Sequence, residues 1–153
     1  MWGLRGLTPE APQQMDYEWT YLYGVVNPAT GEHFGLVLPE VNIPMATLFF
    51  EHFSAWLGEG RHAVVVVDGA GWHGERCVAA APNVTLLFLP PYSPQLNPIE
   101  RLWRWIQERF LANRVFETIE ALEERICQAW RQITPALIKT LCRFDWAETQ
   151  NYV

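Results

Sequence analysis

The sequence predicts an α/β fold, a mixed sheet with helices packed around it. Two observations carry that reading. Ala63–Val67 and Val84–Leu89 are continuous apolar runs of strand length, the pattern of strands covered on both faces. The stretch between them reads as a short helix around Gly74–Ala81, stopped by Pro82, and strands joined by a helical crossover pair in parallel.

The remaining elements follow in chain order. Residues 1–16 hold Gly and Pro breaks without a clear period and read as an irregular lead-in. Tyr17–Val26 is rich in aromatic and β-branched residues, which favours a strand. Asn27–Gly31 is a turn cluster, and Phe34–Leu38 is a second apolar run, so the two pair as an antiparallel hairpin. Met45–Leu57 places Leu48, Phe49, Phe53, Trp56 and Leu57 at helical spacing, ended by Gly58 and Gly60. After a proline-rich loop, Ile99, Leu102, Trp103, Ile106 and Phe110 form one helical stripe. Thr118–Gln132 forms another helix, with Ile119, Leu122, Ile126 and Trp130 inward. Thr134 and Pro135 read as the N-cap and first residue of a last helix. The chain is one domain, with a core over about 17–112 and C-terminal helices over 118–144.

Composition narrows the function. With 153 residues, half of them hydrophobic and eight of them Trp, the chain can bury a real core. No apolar run is long enough to cross a bilayer, and no signal peptide opens the chain. The three cysteines form no short-spaced pair, so they read as reduced thiols of a cytoplasmic protein. A net charge of −6 argues against an independent grip on nucleic acid. Positive charge is uneven, however: Arg101, Arg104, Arg109 and Arg114 crowd one stretch, as a phosphate clamp or as a solvated helix face.

Asp68 and Glu100 are the candidate chemical residues. Asp68 ends the first apolar run, and ligands of open α/β sheets sit beyond the carboxyl ends of strands. It also suits a turn or a helix cap. Glu100 falls at the third position of a helix capped by Asn97 and opened by Pro98, where capping alone accounts for a carboxylate. Capping leaves unexplained the stiff loop before it, a device suited to fixing a carboxylate accurately. Two carboxylates so placed are the raw material of a two-metal phosphoryl-transfer site. His73 can donate to phosphate, orient Asp68, or be structural. Tyr92, Trp103 and Trp105 are candidates to stack on bases. Trp103 lies on the apolar stripe and reads as core, which leaves Trp105 as the better exposed candidate.

Val64–Glu100, with Asp-Gly-Ala-Gly-Trp-His at 68–73 and Leu-Pro-Pro-Tyr-Ser-Pro-Gln-Leu-Asn-Pro-Ile-Glu at 89–100, resembles the catalytic core of DDE transposases, nearest to the mariner-related bacterial insertion-sequence branch. Tyr17–Gly24 and Asn27–Glu32 look like that family's second and third strands. The resemblance implies a ribonuclease H-like fold and cutting and joining of DNA ends with Mg²⁺ or Mn²⁺ held by three carboxylates. Asp68 matches the second carboxylate and Glu100 the third, with His73, Asn97, Arg101 and Arg104 as supporting or DNA-contacting residues. The family's first Asp lies on a central strand upstream of a segment that looks like Trp2–Gly6. The expectation is therefore a C-terminal portion of the catalytic domain, lacking that strand and the helix-turn-helix region and inactive alone. Asp16, which precedes the second strand, is a weak stand-in. Implied partners are DNA and a transposase protomer or upstream-encoded fragment that supplies the first Asp. The alternatives are a non-catalytic truncated transposase that regulates full-length partners, and a nuclease acting on RNA–DNA hybrids.

Overall fold

A computed structural model describes residues 19–68, 74–91 and 96–143. It is a mixed α/β arrangement in which helices hold two small sheets. The first is an antiparallel hairpin of β1 (Tyr21–Val26) and β2 (His33–Leu38), in register from Tyr21 opposite Leu38 to Val26 opposite His33. Residues 17 and 18 of the expected first strand lie outside the described residues. The turn is set by Asn27, whose Oδ1 accepts from the N–H groups of Ala29 and Thr30 at 3.0 and 3.2 Å, the local pairing that suits Asn to turns. The second sheet pairs β3 (Ala63–Val67) with β4 (Val84–Phe88) in parallel, as the crossover rule requires. Among the described residues its crossover contains a 3₁₀ turn, Glu75–Val78, where a short helix around Gly74–Ala81 was expected.

Helix α1 (Ile43–Leu57) is the plate on which both sheets rest. Asn42 caps it by accepting from Met45 N at 2.9 Å, Pro44 sits in its first turn, and Gly58 ends it at φ 78°. Its buried face presents Ala46, Phe49, Phe50, Phe53 and Leu57. Tyr23 and Phe34 of the hairpin meet Phe49 at ring-centroid distances of 5.6 Å each. Ala63, Val65, Val84 and Leu86 of the parallel pair join the same core. Alternation along β1 is therefore functional: Tyr21, Tyr23 and Val25 face α1, while Leu22 and Val26 join a second core on the opposite side.

That second core is built from α2 (Ile99–Ile106), a π-helical turn over Gln107–Leu111, α3 (Ile119–Arg131) and α4 (Pro135–Leu141). Thr118 and Thr134 cap α3 and α4 through their hydroxyls, as their sequence positions imply. Gly24 and Gly35 lie opposite each other in the hairpin. A Cβ on Gly24 would stand 2.6 Å from Trp103, and one on Gly35 would stand 2.6 Å from Trp130. The pair of glycines gives the two indoles a flat seat, the close approach that a strand glycine often marks.

Two expectations are corrected. Among the described residues the four strands form two separate two-stranded sheets and not one. The run Ala63–Val67 is also covered on one face only. Val64 is 62% exposed and Leu87 54%, since α1 and the 3₁₀ turn cover only the side carrying Val65 and Leu86.

Candidate functional site

A cavity of about 810 Å³ opens between the two sheets. It is lined by all of β1 on one side and all of β3 on the other. Phe49, Phe50 and Phe53 of α1 and Ile99, Glu100 and Trp103 of α2 also line it. Asp68 and Glu100 both line it. Asp68 is half-buried, held there because it directly follows the last residue of β3. Glu100 comes from the first turn of α2, which begins where the backbone leaves Pro98 at φ −59°.

Asn97 pins that turn. Its Oδ1 accepts from Ile99 N at 3.4 Å, and its carbonyl accepts from Glu100 N at 3.2 Å. The capping position is Pro98 and not the expected Asn97, without a side-chain cap hydrogen bond, so Glu100 is the second helical residue and not the third; it lines the cavity from there. Partial loss of water raises the Glu100 pKa above the ordinary carboxylate value, and the negative charge of Asp68 raises it further. The residue as a whole is exposed, so the effect is confined to the carboxyl end that the cavity walls shield. Two acidic groups that repel each other in this way favour a proton or a cation nearby.

Other expected site residues part company with this pair. Arg101 turns away: its Nη1 donates to the carbonyls of Arg143 at 3.1 Å and Leu141 at 3.5 Å, satisfying carbonyls left over at the end of α4. Arg104 is exposed on α2 and does not line the cavity. Arg109 lies 5.9 Å from the ring of Trp105, whose own ring meets Phe110 edge-on at 5.2 Å. Trp105 is accordingly half-buried against the second core and is not an open stacking platform. His73, Asp16, Tyr92 and Ser93 lie outside the described residues.

Sequence reasoning overlooked the opposite end of the cavity. Arg61, just before β3, bridges to Glu32, just before β2, at 2.8 Å. This pair ties the amino end of β3 to the amino end of β2, and so to the carboxyl end of β1. No short motif could have signalled the contact, because Glu32 and Arg61 belong to different elements. Among the described residues no group of three His, Cys, Asp or Glu can hold a metal ion, and no helix is long and apolar enough to cross a membrane.

Comparison with known proteins gives three results. A family model described as DDE superfamily endonuclease matches residues 1–123. The chain is 34% identical over 131 residues to the uncharacterized protein y4pE/y4sA of Sinorhizobium fredii, covering 84% of this chain and 97% of that protein. It is 36% identical over 62 residues to the transposable element Tc3 transposase of Caenorhabditis elegans, covering 40% of this chain and 19% of that transposase. No solved structure matches significantly.

Proposed function

The chain belongs to the DDE superfamily endonucleases, and from that premise we propose that it is a portion of a transposase catalytic domain of ribonuclease H-like fold. Its task is metal-dependent cleavage and strand transfer at transposon ends, in the mariner-related bacterial branch and in the cytoplasm. The observation that carries this reading is the electrostatic contact of Asp68 with Glu100 at one end of the cavity.

Two carboxylates offer hard oxygen ligands of the kind that Mg²⁺ and Mn²⁺ prefer. Asp68 and Glu100 are the residues that would hold such an ion. When bound, it supplies Lewis-acid polarisation of a phosphoryl oxygen and a more acidic bound water. The chain's own residues provide position. Asp68 directly follows the last residue of β3, and Asn97 fixes the turn from which Glu100 projects. Both carboxylates must be ionised to act as ligands, so the raised Glu100 pKa makes proton loss a partner of metal uptake. A transposase protomer is the proposed partner, and the chain alone does not cut DNA. Supporting roles for His73 and Arg104 belong to this proposal, while Arg101 acts through α4.

Thermal unfolding with and without millimolar Mg²⁺ or Mn²⁺ tests the ligand pair. The wild-type chain gains stability from the ion, and Asp68→Asn and Glu100→Gln do not. An equal gain in all three proteins would remove the basis of the reading. Mg²⁺-dependent nicking of plasmid DNA by the chain alone, lost in Asp68→Ala, would refute its dependence on a partner. The open strand edges around the cavity favour a second reading, a non-catalytic chain that joins full-length transposase and limits it. Co-purification with an intact transposase, together with loss of that enzyme's activity, is its signature.

A further inference from the structure

Consecutive residues of β1 face opposite sides of the hairpin and meet different partners. Tyr23 is buried against Phe49 of α1, whose core also takes in Ala63 and Val65 of β3, the strand that leads to Asp68. Gly24 faces the other way and receives the indole of Trp103 from α2. A Cβ at Gly24 would stand 2.6 Å from Cη2 of Trp103, so the ring lies on bare backbone. Trp130 of α3 holds that ring from the side, its centroid 6.1 Å away. Trp103 follows Glu100 by three residues, about one turn along the same helix face, and both line the cavity.

We infer that Trp103, seated on Gly24, is a positioning residue that sets the separation of Glu100 from Asp68. The inference rests on the reading of that pair as ligands of a divalent cation, and it names what keeps them in register. The path runs from Asp68 through β3, α1 and β1 to Gly24, and from Trp103 through α2 to Glu100. Magnitudes separate a spacer from an ordinary packing contact. A methyl at position 24 would have to retreat from 2.6 Å to about 3.6 Å, an ordinary carbon contact, so ring and strand part by about 1 Å. A core accepts such a shift at a cost in stability and keeps its fold. Ligand geometry does not accept it, because a working site holds its groups within about 0.5 Å. The indole suits the task, being rigid, flat and governed by two side-chain torsions. Arg101 ties the same helix to the end of α4, so the turn that carries Glu100 is held from two directions.

The test has two readouts on the full chain: Mn²⁺ affinity by isothermal titration and, without metal, the proximity of positions 68 and 100. For the second, Asp68→Cys and Glu100→Cys are combined with Cys127→Ser, since Cys127 is half-buried and the other two cysteines are buried. Dibromobimane, which fluoresces once it bridges two thiols, then reports their approach. Gly24→Ala should weaken Mn²⁺ binding about tenfold, the loss typical when a group that orients a ligand is disturbed, and it should slow bridging. Gly24→Ala with Trp103→Phe, which trims the ring that meets the new methyl, should recover both. Trp103→Leu, which removes the spacer without crowding the strand, should give the same losses and serves where Gly24→Ala does not fold. Val84→Ala, a truncation in the α1 core, should lower stability and leave both readouts unchanged. Unchanged affinity and bridging in folded Gly24→Ala would overturn the inference, as would an equal loss in Val84→Ala. Mn²⁺ bound by the wild type and equally by Gly24→Ala leaves the ligand reading standing and the inference refuted. Bridging lost in Gly24→Ala, with no Mn²⁺ bound by any chain, leaves the positioning role standing and the ligand reading refuted. A wild-type background that neither binds nor bridges refutes both.

Discussion

Burial, and with it the negative charge of Asp68, raises the proton affinity of Glu100 at the end of the inter-sheet cavity, although one carboxylate follows a strand and the other opens a helix. The relationship costs the folded chain something at neutral pH, and that cost can be measured.

A carboxyl whose pKa is higher in the folded state binds more protons there than in the unfolded chain. Stability then falls as pH rises from the ordinary value of 4.5 through the raised one. Glu100→Gln removes that loss. At neutral pH without metal the variant should melt about 1 °C higher, a few tenths of a kcal/mol after allowance for its exposure. At pH below 4 the two proteins should melt together. Paired melting curves across pH decide it.

Millimolar Mg²⁺ should reverse that ranking. An ion bound only by the folded state, at about ten times its Kd, adds about 1.4 kcal/mol to the wild type. Glu100→Gln and Asp68→Asn should gain little. Thermal scans with and without the ion, with circular dichroism to verify folding, separate the cases.

Gly35→Ala should destabilise the chain by about 1–3 kcal/mol through overpacking. The new methyl would stand 2.6 Å from Trp130, a ring wedged between His33 at 5.5 Å and Trp103 at 6.1 Å. Urea unfolding should show a lower midpoint with an unchanged slope. Gly35→Ala combined with Trp130→Leu should recover part of the loss, which identifies the clash as the cause.

Arg101→Met should cost about 0.5–1.5 kcal/mol by releasing two carbonyls at the end of α4. The neighbouring Cys142 thiol is pushed up to about 11 by burial, an effect that the Arg101 charge reduces. Cys142 should therefore resist alkylation at pH 8 while half-buried Cys127 reacts. Mass spectrometry after a timed iodoacetamide pulse distinguishes them.

Local pattern made much of the fold legible. Helical spacing identified α1 and α3 within a residue or two of their ends, and Thr134 with Pro135 marked the start of α4. Two aliphatic runs announced a parallel pair, and Asn27 announced the hairpin turn. Legibility stopped where meaning depends on a distant neighbour. Arg101 looked like one of four cations in a patch, but its acceptors lie at the end of α4, 40 residues on at Leu141. Gly24 and Gly35 are interpretable only once Trp103 and Trp130 are seen against them. The aliphatic runs implied cover on both faces, whereas burial of Val64 and Leu87 needs an element that no local pattern specifies. For the candidate site, the sequence proposed Asp68 and Glu100 from position alone. Their shared cavity is the added support, and the metal roles remain for the experiments above.

Helix α1 also determines how the molecule comes apart. Its phenylalanines serve the hairpin and the parallel pair at once, so neither can loosen without stripping partners from the other. Two separate ladders would ordinarily melt as two units. Here a shared aromatic keel couples them, and calorimetry should register one transition whose van't Hoff and calorimetric enthalpies agree.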